Sequence, residues 1–156
     1  MAGEALRLDA LQRDLLLAQI DGFVHAIADE TARAPYVVLR TAVAAMEVPA
    51  AMTDRLGAVA ELALTSGRVR NAHGPGAALS LWSLFQKTPR GRDIAGSVAA
   101  LNAALKQIEG QPLEFVNATA RGPGAYALII KTSQCQIVMR FESAGVRIES
   151  VEVDLA

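Results

Sequence analysis

Three groupings of polar side chains have the types and spacing to do chemistry. Asp21, His25 and Asp29 fall at i, i+4 and i+8. On a single helix they share one face, and two carboxylates with an imidazole are donors that divalent transition metals accept. One helix alone rarely completes a coordination shell, and the same spacing serves a solvated polar face whose carboxylates favour the charged ring. No metal is assigned to it.

The second grouping is Arg68, Arg70 and His73-Gly74-Pro75-Gly76, and the third is Thr88-Pro89-Arg90-Gly91-Arg92. Each leads into a helix start, where backbone N–H groups lack intrahelical partners and attract anions. Arg68, Arg70, His73, Arg90 and Arg92 are therefore the candidate anion-binding set, with guanidinium forks suited to phosphate or carboxylate. The helix between the two loops separates them by about 15 Å if straight, so joint use needs an elongated ligand or a partner surface. Solvated loop arginines are the ordinary alternative. No Gly-Lys-Ser/Thr follows the first loop and no strand precedes it, which excludes a nucleotide-hydrolase phosphate loop and a dinucleotide fingerprint.

Cys135 lacks a helix N-terminus or nearby histidine to activate it and reads as a buried thiol. The serines lie outside any Gly-x-Ser-x-Gly elbow, and neither His25 nor His73 has a triad context. No catalytic residue and no cofactor is assigned.

Charge is unevenly distributed. Residues 62–92 hold Arg68, Arg70, Lys87, Arg90 and Arg92 with no acid, whereas residues 1–61 hold nine acids against five bases. Net charge is −1 with pI near 6.1, and aromatic residues do not interleave with the bases, which disfavours nucleic acid as a partner. With 52% hydrophobic and 20% charged residues the chain is globular rather than disordered. Its few aromatics leave a core of Ala, Leu, Val and Ile.

Helices must position the basic loops. Residues 4–33 read as one long helix with Leu16, Ile20, Phe23 and Ile27 along its stripe. Pro35 and Pro49 mark the next two helix starts, since Pro is tolerated in a first turn. Gly67 reads as a C-terminal cap, residues 68–76 as a loop, and residues 77–87 as a helix buried on most sides, with Trp82 in the core. Thr88-Pro89 opens a fifth helix, to about residue 109, carrying Ile94, Val98, Leu101, Leu105 and Ile108.

Residues 112–155 alternate in the period of two of β-strands, punctuated by short turns. A Ser133-Gln134 loop pairs Tyr126 with Phe141, Leu128 with Met139 and Ile130 with Ile137, giving one apolar face. An Ala144-Gly145 loop sets Glu142 opposite Arg147 and Arg140 opposite Glu149. The Arg121-Gly122-Pro123-Gly124 turn sets Phe115 opposite Ile130. The apolar phase shifts after Ile148, predicting a β-bulge near Ser150. Val116, Ile129 and Val138 are expected together on the outer face.

The expected fold is thus α+β: about five N-terminal helices (4–110) packed on a C-terminal four-stranded antiparallel meander of order 1-2-3-4, as a single domain over 1–156. One cysteine gives no internal disulfide. The first residues lack a basic, then apolar, leader pattern and no apolar run of 18 residues occurs, so a soluble cytoplasmic protein is expected. Apolar residues on both sheet faces point to a non-enzymatic interaction or regulatory module, a homodimer joined through Val116, Ile129 and Val138. Residues 141–153 resemble the last hairpin of cone-shaped domains of the nuclear-transport-factor-2-like type, and that resemblance implies the alternative of a carrier or enzyme with a pocket between sheet and helices. An apolar ligand would suit such a pocket, given the apolar inward residues. Binding of an anion or nucleic acid through residues 68–92 is the further alternative.

Overall fold

A computed structural model of the chain describes residues 4–143 and 145–153. It is an α+β fold with five helices and a C-terminal four-stranded antiparallel sheet. Two compact units divide it, Met1–Arg92 and Asp93–Ala156.

The first unit is helical. Helix α1 (Ala10–Ala26) starts at a capping box: Asp9 Oδ1 accepts from Gln12 N at 2.8 Å, and Asp9 N donates to Gln12 Oε1 at 3.1 Å. The buried Gln12 amide then donates across to Ser80 O at 3.1 Å. The single helix expected over residues 4–33 is a two-residue strand and parts of two helices. Ile27 turns extended, and Asp29 caps α2 (Glu30–Ala44) by accepting from Thr31 N at 3.0 Å. Pro35 consequently lies inside α2 and not at its start.

A two-residue strand β1 (Leu6–Arg7) pairs antiparallel with β2 (Glu47–Val48), which follows α2. The turn between α2 and β2 places Met46 at φ 58, a conformation costly for a residue with a side chain. Bonds at both of its ends hold it there, Met46 N to Val43 O at 2.9 Å and Leu8 N to Met46 O at 3.0 Å. After Pro49 a 3₁₀ turn (Ala50–Met52) leads into α3 (Thr53–Thr65).

Gly67, at φ 70, ends one helix and begins the next, since α4 runs Arg68–Phe85. The loop expected at 68–76 is therefore mostly helix, kinked at Gly74 (φ 83, ψ 174), where Pro75 begins a second helical run. This second run buries only one face: Leu81, Leu84 and Phe85 are inside, while Leu79 is 67% and Trp82 39% exposed, against the expectation of a helix buried on most sides with Trp82 in the core.

Helix α5 (Pro89–Leu105) meets α4 at a tight corner. Thr88 is fully buried, and its Oγ1 donates to Phe85 O at 2.7 Å while accepting from Gly91 N at 3.2 Å. A Cβ on Gly91 would lie 2.1 Å from Phe85 O, and one on Gly57 of α3 would lie 3.0 Å from Thr88 Oγ1. The corner thus requires Gly where α5 crosses the end of α4, and a small residue where α3 passes the threonine.

The second unit consists of α5 from Asp93, a 3₁₀ turn (Lys106–Ile108) and the sheet β3 (Leu113–Gly122), β4 (Ala125–Thr132), β5 (Cys135–Glu142) and β6 (Gly145–Val153), in meander order. Its core sets Ala104, Leu101, Leu105 and Ile108 against Cys135, Ile137, Met139, Leu128, Ile130 and Ile148. Within this unit α5 is the helix on the sheet; α1 to α4 fill a core of their own around Leu16, Ile20, Leu39, Leu56 and Leu81.

The β4–β5 register is the expected one, with Tyr126 opposite Phe141, Leu128 opposite Met139 and Ile130 opposite Ile137. Thr132 Oγ1 closes this hairpin, accepting from Cys135 N at 3.0 Å and donating to Gln111 Oε1 at 2.6 Å. Two registers differ from expectation. Val116, not Phe115, faces Ile130, because register shifts interrupt β3 between Leu113 and Phe115 and between Ala120 and Gly122. Glu142 faces Gly145 and Arg140 faces Arg147; the loop expected at Ala144-Gly145 falls partly on Ala144, outside the described residues. The bulge expected near Ser150 is present: Val138 faces Ser150 and Met139 faces Ile148, leaving Glu149 as the extra residue.

The corner gives a stability prediction. Thr88→Val removes the hydroxyl and leaves Gly91 N–H unpaired, with an expected loss of about 1–2 kcal/mol in urea unfolding. Gly91→Ala forces a backbone displacement and is expected to cost more, about 3 kcal/mol. Equal stability of wild type and Gly91→Ala would show that the corner relaxes freely.

Candidate functional site

The five residues of the expected anion set do not converge. Arg68 lies in a cleft of about 390 Å³ with Ala18, Gly22, Phe23, Leu62 and Ser66. Arg70 borders an apolar groove of about 350 Å³ formed by Leu64, Pro75, Ala78, Leu79 and Trp82. His73 is exposed on the first run of α4. Arg90 is engaged with Glu61 through two contacts, Nε to Oε2 and Nη2 to Oε1, both 3.3 Å. Arg92 alone reaches a third and larger cleft of about 650 Å³, lined also by Glu4, Ala5, Leu6, Arg7, Ala50, Thr53, Gln86 and Lys87.

Four short elements build this third cleft. The β1 strand supplies Leu6 and Arg7, held in place by its ladder to β2. The 3₁₀ turn supplies Ala50, whose carbonyl accepts from Thr53 Oγ1 at 2.7 Å. The corner between α4 and α5 supplies Gln86 and Lys87, the first turn of α5 supplies Arg92, and Arg92 Nη1 donates to Lys87 O at 2.9 Å. Three cations thus face the cleft against the one carboxylate of Glu4. Arg7 was not singled out in the sequence, because the fold and not the spacing brings residue 7 to residues 87 and 92.

The Asp21, His25, Asp29 face does not form. Helix α1 ends at Ala26, and Asp29 is spent as the cap of α2. Asp21 Oδ1 accepts from Arg40 Nε at 2.6 Å, and His25 Nδ1 donates to Asp21 O at 2.8 Å. Among the described residues no group of three His, Cys, Asp or Glu side chains is placed to hold a metal ion.

On the sheet, directly opposed residues share a face. Ile129 and Val138 are opposed and lie together on the outer face, half-buried, beside Asn117. Val116, opposite Ile130, is on the inner face, so the trio Val116, Ile129 and Val138 is divided by the one-residue difference in β3. The outer face also carries charge: Arg140 Nε is 2.8 Å from Glu149 Oε1 and Arg147 Nη2 is 3.4 Å from Glu142 Oε1. These are the two ion pairs expected from sequence, made diagonally instead of straight across. Cys135 is buried at the start of β5. No helix among the described residues is long and apolar enough to cross a membrane.

Comparison with protein-family models, with curated proteins and with solved structures gives no match.

The Asp21–Arg40 pair makes a pH prediction. Its hydrogen bond to Arg40 holds the Asp21 carboxyl below its ordinary value of 3.8. The stabilisation is therefore complete above that value and is lost as pH falls through the lower folded one. Asp21→Asn is expected to flatten the acid limb of a Tm-against-pH profile at low ionic strength. High salt should shrink the difference, because both side chains are exposed. Identical acid limbs in wild type and variant would show that the pair does not contribute.

Proposed function

We propose that the protein is a non-enzymatic interaction or regulatory module of the cytoplasm that self-associates as a homodimer, using the sheet of the C-terminal unit and in particular its β3 edge. One observation carries this reading: β3 is a ten-residue edge strand whose first six positions are all exposed, with Leu113 at 59%, Phe115 at 49% and Val116 at 51%. An edge strand leaves a row of backbone N–H and C=O groups free for another strand, and proteins ordinarily guard such edges with charge, Pro or bulges. On β3 the charges, Glu114 and Arg121, sit at the two register shifts. Between them, Phe115-Val116-Asn117-Ala118-Thr119-Ala120 is uncharged and regularly paired to β4 on its other side.

The strand is also self-complementary. Antiparallel pairing with a second copy about a two-fold axis at Ala118 sets Phe115 opposite the partner's Arg121, Val116 opposite the partner's Ala120 and Asn117 opposite the partner's Thr119, with no like charges opposed. Thr119 Oγ1 has no hydrogen-bond partner among the described residues, and in this pairing Thr119 would stand across from the partner's Asn117. The outer face with Ile129 and Val138 would then run on into the second copy. The lone, buried Cys135 accords with a reducing compartment.

Light scattering coupled to size exclusion tests the proposal. The wild type is expected as a dimer at high micromolar concentration, and Val116→Lys, which puts a charge on the exposed edge, as a monomer with unchanged circular dichroism. A monomeric wild type, or a Val116→Lys dimer, would refute it.

A further inference from the structure

Independently of the sheet, we propose that the cleft lined by Arg7, Lys87 and Arg92 binds a small, multiply charged oxyanion ligand, a phosphate ester or a polycarboxylate. The cleft, of about 650 Å³, falls within the roughly 300–1,000 Å³ range of small-molecule sites. Its ionisable lining is three cations and Glu4. The ion pairs among the described residues use Arg13, Arg40, Arg90, Arg140 and Arg147, so among these residues Arg7, Lys87 and Arg92 have no carboxylate at ion-pair distance. Glu47 stands opposite Arg7 in the β1–β2 ladder yet forms no ion pair with it.

A second observation concerns where the charges sit. The first turn of α5 has no acidic residue and carries Arg90 and Arg92, although the N-terminal end of a helix dipole is positive and repels cations. The Arg90 charge is compensated by Glu61 at 3.3 Å. The Arg92 charge has no such carboxylate among the described residues; its Nη1 donates to the neutral Lys87 carbonyl at 2.9 Å. That bond fixes the guanidinium at the cleft wall and leaves four of its five N–H donors for another acceptor. An anion in the cleft offsets the charge conflict and meets a fork already held in place, with Lys87 and Arg7 as further cations and Thr53 and Gln86 as the polar lining. The Thr88 corner keeps Lys87 and Arg92 five residues apart in sequence yet on one wall.

The test is titration calorimetry of the full chain at low salt with pyrophosphate and, separately, citrate. The expected result is saturable one-to-one binding of at least one probe, weakening as salt rises. Lys87→Gln and Arg92→Gln should each weaken it about tenfold or more, the loss typical of a charge-assisted contact. Arg70→Gln, on a different groove, should leave it unchanged. Preference for pyrophosphate assigns the site to phosphate ligands, and preference for citrate to polycarboxylates. Failure of both probes to saturate at millimolar concentrations, or equal weakening by Arg70→Gln, would overturn the proposal. Neither result would bear on the β3 dimer, which scattering reads separately.

Discussion

The arrangement of the helical unit depends on one buried hydroxyl. Thr88 Oγ1 takes the proton-donor role towards the last turn of α4 and the acceptor role towards the first turn of α5, so a single atom pairs the Gly91 N–H, an orphan donor of the helix start, and adds a second bond to Phe85 O, which also accepts from Thr88 N at 2.9 Å. Such a junction tolerates no slack. It requires Gly91 at the crossing and a small residue at Gly57 on the neighbouring helix. The charged residues beside the corner face different ways: Arg90 turns to Glu61, and Arg92 turns to the cleft.

The second unit solves a different problem. A single helix can cover only part of a four-stranded sheet, and α5 with its 3₁₀ extension covers the central strands, where Ile137 and Met139 are almost fully buried. The flanks of the same face retain exposed apolar groups, Val116 on β3 and Val151 and Val153 on β6. Hydrophobic burial is proportional to area removed from water, so surface of this kind represents stabilisation still to be gained by association. The outer face differs in chemistry: it carries the Arg140–Glu149 and Arg147–Glu142 ion pairs together with the half-buried Ile129 and Val138.

Much of this was legible in the sequence where a rule acts locally. The α+β division, the meander order, the Ser133-Gln134 hairpin and the Thr88-Pro89 helix start each follow from a few adjacent residues. The pattern misleads where it crosses an irregularity. Two register shifts in β3 displaced Phe115 and Val116 by one position and so moved Val116 to the other face. The break at Ile27 was hidden by Pro35, the more conspicuous signal, although Asp29 carried the true cap. Gly67 signals a helix end, which leaves residues 68–76 looking like a loop, but the same glycine also begins α4. The cleft was invisible for a simpler reason: it joins Arg7 to residues 80 positions away through a two-residue strand too short to leave a pattern.

Glu149 has a meaning beyond the register it disturbs. As the extra residue of the bulge it sits between Ile148, opposite Met139, and Ser150, opposite Val138, which are neighbours on β5. Removing either Glu149 or Ser150 would leave a regular ladder with every inward valine and isoleucine still inward, because the inward pattern needs only one residue between Ile148 and Val151. The second residue adds a carboxylate: Glu149 lies 2.8 Å from Arg140, which faces Arg147 directly across the ladder. The bulge thus gives β6 room for an anion beside two opposed guanidinium groups without disturbing the inward face.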